Sequence, residues 1–292
     1  MTEPEARAPG RSILITGCSS GIGLDAARTL HARGWRVFAS CRKPADVERL
    51  RADGLESLAL DHDDSASIRD AVAEVLDRTG GTLDAVFANG AHGLPGRVED
   101  LPRGALRAIF ETNLFGPLEL VNAVLPAMRA ADGGRGRGRV VLCSSVLGFA
   151  ATPWRGAYCA TKFAMEGLGD ALRLELADTG IEVVLIEPGP IATRIRENSI
   201  PHFERWIDVE AAREREAYRE RLLPRLHEPA ASPDRFELPP SAVTAALIDA
   251  LERPRPRARY RITVPTRVGA VLKRLLPTRA FDRLLLGRRR AP

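Results

Sequence analysis

Short apolar runs recur along the chain, with stretches of helical period between them. Residues 12–16, 35–39, 58–60, 83–87, 139–143, 181–186 and 260–264 each read as a strand, the first of them short and buried. After the first run, apolar positions at Leu24, Ala27 and Leu30 repeat at helical spacing. A helix is likewise expected around Tyr158 and Lys162, and another over 241–251. Strands alternating with helices favour one α/β domain: a mostly parallel sheet of seven strands with helices on both faces. The 292 residues can bury a large core, and no internal repeat divides them.

Two stretches outside this alternation are informative. Phe203, Trp206 and Ile207 sit at helical spacing ahead of the charge-dense segment 210–221, within an insertion running from about 194 to 240. A long insertion reads as a lid over an apolar pocket, in preference to a surface helix packed on the sheet. Phe149 and Trp154 are candidates to line the same pocket as Phe203 and Trp206. At the far end, Val268, Val271, Leu272, Leu275 and Leu276, then Phe281, Leu284 and Leu285, form an apolar stripe among Lys273, Arg274 and 288–290. The tail 266–292 is thus a basic amphipathic segment that lies on an anionic membrane surface or packs on protein, packing being the favoured reading. Residues 1–11 are polar with two prolines, are expected to be disordered, and lack the apolar core of a signal peptide.

Composition narrows the setting. The net charge is +5, but no recognition motif accompanies it, so nucleic acid is not the expected partner. The segment 135–139, Arg-Gly-Arg-Gly-Arg, reads as a solvated loop. Cys18, Cys41, Cys143 and Cys159 have no metal-type spacing, so no metal is expected and reduced thiols suit a cytoplasmic protein. No charge-free apolar run is long enough to span a bilayer.

Candidate chemistry begins where the first strand runs into Gly17-Cys18-Ser19-Ser20-Gly21-Ile22-Gly23 and then a helix. Strand, glycine turn and helix N-terminus make a cradle for a diphosphate, because glycines let backbone approach the phosphates and the helix presents free N–H groups. The spacing is Gly-x-x-x-Gly-x-Gly rather than Gly-x-Gly-x-x-Gly. Tyr158 and Lys162, four apart, share a helix face. A free phenol has a pKa of about 10, so reaching its ionisation at neutral pH costs about 4 kcal/mol. An ammonium about 4 Å away at an effective dielectric of about 20 supplies that much attraction. Ser144 and Ser145 lie fourteen and thirteen residues upstream of the tyrosine.

Thr16-Gly17-x-x-x-Gly21-x-Gly23, Asn89-Gly90-Ala91, Asn113, Ser145, Tyr158, Lys162 and Pro188-Gly189 follow the order and spacing of the short-chain dehydrogenase/reductases, which the chain resembles over about residues 12–193. The wording of the glycine loop and of residues 158–167 is most similar to the branch containing hydroxysteroid and retinol dehydrogenases. The resemblance implies a Rossmann-like, doubly wound domain, here 12–265, that moves a hydride between a nicotinamide and a carbonyl or alcohol carbon. It implies Tyr158 as proton donor and acceptor, Lys162 as the cation that lowers the phenol and holds the nicotinamide ribose, and Ser145 as donor to the substrate oxygen, with Ser144 out of reach. Asn113 would interrupt its helix and hold a water that links Lys162 to solvent.

The cofactor contacts follow the same resemblance. Gly17, Ser19, Ser20, Gly21, Ile22 and Gly23 would hold the diphosphate, and Asp61 the adenine amino group, with His62 a neighbouring spectator. Asn89 and Gly90 would meet the cofactor in a loop whose small residues are reversed from the family's Asn-Ala-Gly, while Pro188, Gly189, Ile191 and Thr193 would cover the nicotinamide. The second strand ends in Ser40-Cys41-Arg42-Lys43, with no carboxylate before Asp46, where an NAD enzyme carries an acid. Arg42 can clamp a 2′-phosphate with two parallel hydrogen bonds, Lys43 adds charge and Ser20 can reach the same group, so NADP(H) is expected over NAD(H). The substrate class expected is an apolar ketone, aldehyde or alcohol of steroid, retinoid or fatty type, and the assembly a dimer or tetramer. A non-catalytic dinucleotide sensor on the same fold would be marked by a broken catalytic set, and a sugar epimerase by a Gly-x-x-Gly-x-x-Gly loop.

Overall fold

The computed structural model describes residues 11–131, 136–227 and 236–287. Residues 1–10 of the expected disordered start, Arg135 of the arginine loop, 228–235 of the insertion and 288–290 lie outside these. The elements run β1 (Ser12–Ile15), α1 (Gly21–Ala32), β2 (Arg36–Cys41), α2 (Pro44–Ala52), β3 (Glu56–Ala59), α3 (Ser65–Thr79), β4 (Ala85–Ala88), α4 (Arg103–Phe110), α5 (Gly116–Ala130), β5 (Gly138–Cys143), α6 (Gly156–Glu175) and β6 (Ile181–Pro188). There follow α7 (Ile195–Trp206), α8 (Arg215–Ala217), α9 (Leu223–His227), α10 (Ser241–Glu252), β7 (Arg259–Ile262), α11 (Val264–Leu275) and α12 (Thr278–Leu286).

The seven strands form one sheet in the order β3-β2-β1-β4-β5-β6-β7, every neighbouring pair parallel. This is the doubly wound, Rossmann-like arrangement. The two-residue period of each strand decides which face its side chains serve. Ile13 and Ile15 of β1, Val37 and Ala39 of β2 and Phe87 of β4 join the core beneath α1, α2 and α10. Leu14, Phe38 and Val86, the residues between them, point to the core beneath α3, α5 and α6. Both faces are therefore dry, which is why these strands read as short unbroken apolar runs.

The strand order reverses between β1 and β4, opening a crevice at their C-terminal ends, the place where ligands of such sheets bind. Thr16 closes the seam just past β1. Its Oγ1 accepts from the Asn89 and Gly90 N–H groups, each at 3.0 Å, and its carbonyl accepts from Asn89 Nδ2 at 3.0 Å.

Differences from the sequence reading are mostly of boundary. The last strand ends at Ile262, and the expected domain limit at 265 falls inside α11. Thr263 sits at φ 83°, the left-handed region that breaks a strand, and the helix starts beyond it. The insertion is helical and builds its own small core from Phe203, Ile207, Ala212, Tyr218, Leu222 and Leu226. Between α4 and α5 a π-helical turn (Glu111–Phe115) carries Asn113, the interruption expected there.

Candidate active site

The phosphate loop spans β1 and α1. Gly17 has φ +72°, and a Cβ on Gly23 would stand 2.4 Å from Gly17 O, so that position admits only glycine. The N-cap residue Ser20 makes no side-chain cap and the first turn of α1 has no acid, leaving its N–H groups available to an anion. The loop after β6 lies directly over this turn: a Cβ on Gly21 would meet Thr193 Cγ2 at 3.0 Å. Ile191 packs at the edge of the first core and pairs with Leu238. Arrangement and chemistry fit a dinucleotide diphosphate.

Arg42 and Lys43 stand exposed at the end of β2, just ahead of α2. The first carboxylate beyond them, Asp46, is paired with Arg49 at 3.0 Å, and Arg49 also donates to the Ser19 carbonyl at 2.8 Å. Arg49 thus adds a third cation beside the loop, one that sequence spacing did not single out, because it approaches Ser19 from the next helix. Asp61 follows β3, its backbone N–H held by Ser67 Oγ at 3.0 Å and its Oδ1 accepting from Asp63 N–H at 3.1 Å.

His62 beside it is buried. Its Nδ1 faces the Thr112 carbonyl at 3.1 Å, so Nδ1 carries the proton and Nε2 is a lone pair without a partner. Burial lowers its pKa to about 4, keeping the ring neutral at pH 7. The ring fills the space beside Gly90: a Cβ there would come within 3.1 Å of His62 Cε1. This suits the reversed Gly90-Ala91 order, since alanine in the first place would crowd the imidazole, which would have to give by a few tenths of an ångström.

The catalytic candidates converge at the C-terminal ends of β4 and β5. Asn113 is fully buried on its π-turn. Its Oδ1 accepts from His92 N–H at 3.0 Å and its Nδ2 donates to the His92 carbonyl at 2.9 Å, a two-point clamp on the loop after β4. A further 3.4 Å contact reaches Thr161 Oγ1. Ser145 leaves β5 in extended backbone, its Oγ accepting from Leu147 N–H at 3.1 Å, which frees its proton for a partner in front. Tyr158 stands on the first turn of α6, near enough for the Ser145 hydroxyl to act on its phenol. Lys162, one turn on, donates to the Cys143 carbonyl at 2.7 Å and stands 5.6 Å from the Tyr158 ring centroid.

Burial pushes the Tyr158 phenol well above its ordinary range, the Cys143 thiol adds to this, and the Ser145 hydroxyl opposes it. The Lys162 ammonium, itself lowered by burial, is directed at a strand carbonyl instead of the phenol oxygen. Desolvation is the largest effect on the phenol in this geometry. Ser144 points elsewhere, its buried Oγ unpartnered and close to Gly148.

Of the pocket-lining candidates, Phe203 and Trp154 serve the core of the insertion. Trp154, at φ 68°, meets the Tyr218 ring edge-on at 4.9 Å, and Tyr218 donates to Asp100 at 2.7 Å while accepting from Arg97 N–H at 2.9 Å. Trp206 packs at the cluster that holds Tyr158 and over Gly104, where a Cβ would stand 2.8 Å from the indole. Phe149 rests against Gly269 of α11. The insertion is latched over the β4 loop by a pair that sequence gave no sign of: the rings of His92 and His202 stack at 3.5 Å, 6° from parallel. Among the described residues no cluster of His, Cys, Asp or Glu could hold a metal ion, and no helix is long and apolar enough to cross a membrane.

Comparison with known proteins agrees with this geometry. The family model for short chain dehydrogenase matches residues 11–203. The chain is 40% identical over 280 residues to the uncharacterized oxidoreductase YbbO of Escherichia coli K12, covering 95% of this chain and 94% of that one. It is 36% identical over 208 residues to human 17-beta-hydroxysteroid dehydrogenase type 1, covering 67% of this chain and 61% of the relative. A variant of actinorhodin polyketide ketoreductase with NADPH superposes with a TM-score of 0.69 at 27% identity, covering 88% of this chain and 97% of that one. The chain is an oxidoreductase and belongs to the short-chain dehydrogenase family.

Proposed function

We propose that the protein is an NADP(H)-dependent oxidoreductase that interconverts a carbonyl and an alcohol on an apolar substrate, in a reducing, cytoplasmic setting. The observation that carries the reading is the convergence of Ser145, Tyr158, Lys162 and Asn113 at the open end of the sheet, beside the phosphate loop. Gly17, Ser19, Gly21 and Gly23 hold the diphosphate, and Arg42 and Lys43, with Arg49 behind them, take the 2′-phosphate. Asp61, Asn89, Pro188, Gly189, Ile191 and Thr193 complete the cofactor contacts. When bound, the nicotinamide supplies the hydride.

The chain's own residues handle the proton and the developing charge. A phenol raised by burial is protonated at neutral pH, so Tyr158 is set to give its proton to the substrate oxygen during reduction. Ser145 donates to that same oxygen and stabilises charge on it. Lys162 holds the ribose and, once turned towards it, lowers the phenol, which favours the reverse reaction. Asn113 fixes the β4 loop against α6. The apolar insertion and Phe149 suit a lipophilic carbonyl, of the kind named for the hydroxysteroid dehydrogenase relative. The apolar face of α6, where Phe163, Leu168 and Leu174 are exposed, suits a dimer or tetramer.

A carbonyl panel followed by NADPH absorbance tests the reading. Reduction of lipophilic carbonyls is expected, with a loss of roughly 100-fold or more in kcat for Tyr158→Phe. Arg42→Asp should lower kcat/KM with NADPH far more than with NADH. Equal efficiency of the wild type with both cofactors would overturn the cofactor choice, and full activity of Tyr158→Phe would overturn the mechanism.

A further inference from the structure

The last two helices turn one apolar stripe outward. Val264, Val268, Val271 and Leu275 of α11 are 58, 48, 55 and 73% exposed. They sit at i, i+4, i+7 and i+11, one line along the helix. Thr266 and Ala270, on the other side, are buried against the domain, and α12 is anchored through Phe281. Packing therefore occupies one side of α11 and leaves the more apolar side open, with Leu284 and Leu286 of α12 also exposed.

Charge accompanies the stripe. The two helices hold Arg267, Lys273, Arg274, Arg279 and Arg283 against one acid, Asp282, and three more arginines follow in the sequence at 288–290. The described contacts of these cations leave their charge uncompensated. Arg267 and Arg283 donate to the carbonyls of Arg261 and Arg279, and Lys273 lies over the Phe281 ring. A second copy of this face would set five cations against five. An anionic surface with an apolar interior satisfies both the stripe and the charge.

We propose that α11 and α12 dock the protein on an anionic lipid bilayer, with the mouth of the candidate site at the membrane surface. The helix borders that site on two sides. Gly269 lies against Phe149, a few residues past Ser145, and the start of α11 abuts the loop after β6: a Cβ on Gly189 would stand 2.1 Å from Thr263 Oγ1 and 2.6 Å from Thr266 Oγ1. Docking then presents the site to carbonyls dissolved in the bilayer. Only this delivery rests on the proposed apolar substrate; the docking does not.

The test is sedimentation of the full chain with vesicles of phosphatidylcholine alone and with equal parts of phosphatidylglycerol, alongside reduction of a water-soluble carbonyl without vesicles. The wild type should pellet with the anionic vesicles, stay in solution with the neutral ones, and be released by salt. Val268→Ser, Val271→Ser and Leu275→Ser together should weaken binding by roughly tenfold or more, as should Arg267→Glu with Arg274→Glu. All five side chains are exposed, and an unchanged thermal midpoint checks that the fold is kept. Equal pelleting with both vesicle types, or binding indifferent to both variants, would overturn the proposal. So would a wild-type dimer that the serine variant splits in the absence of lipid, which would assign the stripe to a second copy. A wild type that fails to pellet with the anionic vesicles yet still reduces the soluble carbonyl would sink this inference and leave the reaction standing.

Discussion

Thr16→Val is the most direct probe of how the crevice is held. The change keeps the branched shape of a fully buried side chain and removes one oxygen. That oxygen accepts from two backbone N–H groups, of Asn89 and Gly90, both at 3.0 Å. A methyl in its place leaves two half-buried donors without that partner, at about 1–2 kcal/mol each because both residues are partly open to solvent, while the preserved volume keeps any cavity cost small. The sum is about 2–4 kcal/mol. For a domain of this size, with a urea slope of about 3 kcal/mol per molar, the unfolding midpoint should fall by about 1 M. Thr16→Ser, which retains the oxygen, should lose less than half of that. Cofactor affinity should fall with Thr16→Val as well, because Asn89 and Gly90 belong to the loop that faces the crevice. A midpoint shift below about 0.3 M would refute the reasoning, as it would mean the two N–H groups find other partners.

Two further outcomes follow from His62. Gly90→Ala should destabilise the fold by about 1 kcal/mol as it crowds the imidazole, and a second change, His62→Ser, should relieve that crowding; a double-mutant cycle without coupling would contradict the packing. The neutral burial of His62 also predicts acid sensitivity. With a folded pKa of about 4 against about 6.5 unfolded, the unfolded state binds more protons in that window, so stability is full above pH 6.5 and declines as pH falls towards 4. The loss is about 3 kcal/mol, His202, likewise lowered to about 4, adds to it, and urea titrations from pH 7 to 4 that show a flat midpoint would contradict it.

What the sequence determined by itself was whatever depends on neighbours along the chain. Seven apolar runs became seven parallel strands because both faces of each are covered, and a run without polar alternation is the local trace of that burial. The glycine loop was legible because the turn from β1 into α1 is closed within a few residues, and the helical interruption at Asn113 came from the family resemblance, with asparagine's poor fit in a helix interior in keeping with it. The tertiary structure decided what needs distant segments to meet. The Asn113 clamp on His92, the His92–His202 stack, Arg49 at Ser19 and the fit of His62 beside Gly90 join residues from 21 to 110 positions apart. Nothing in the local pattern of either partner announces such a meeting. The same holds for Trp154 and Phe203: composition marked them as apolar, but only their approach to Tyr218 showed that they fill the insertion's own core. The direction of the Tyr158 shift was likewise out of reach of spacing alone. Four residues of separation set how near a cation can come, whereas the depth of burial, which only the fold sets, is the largest effect on the phenol.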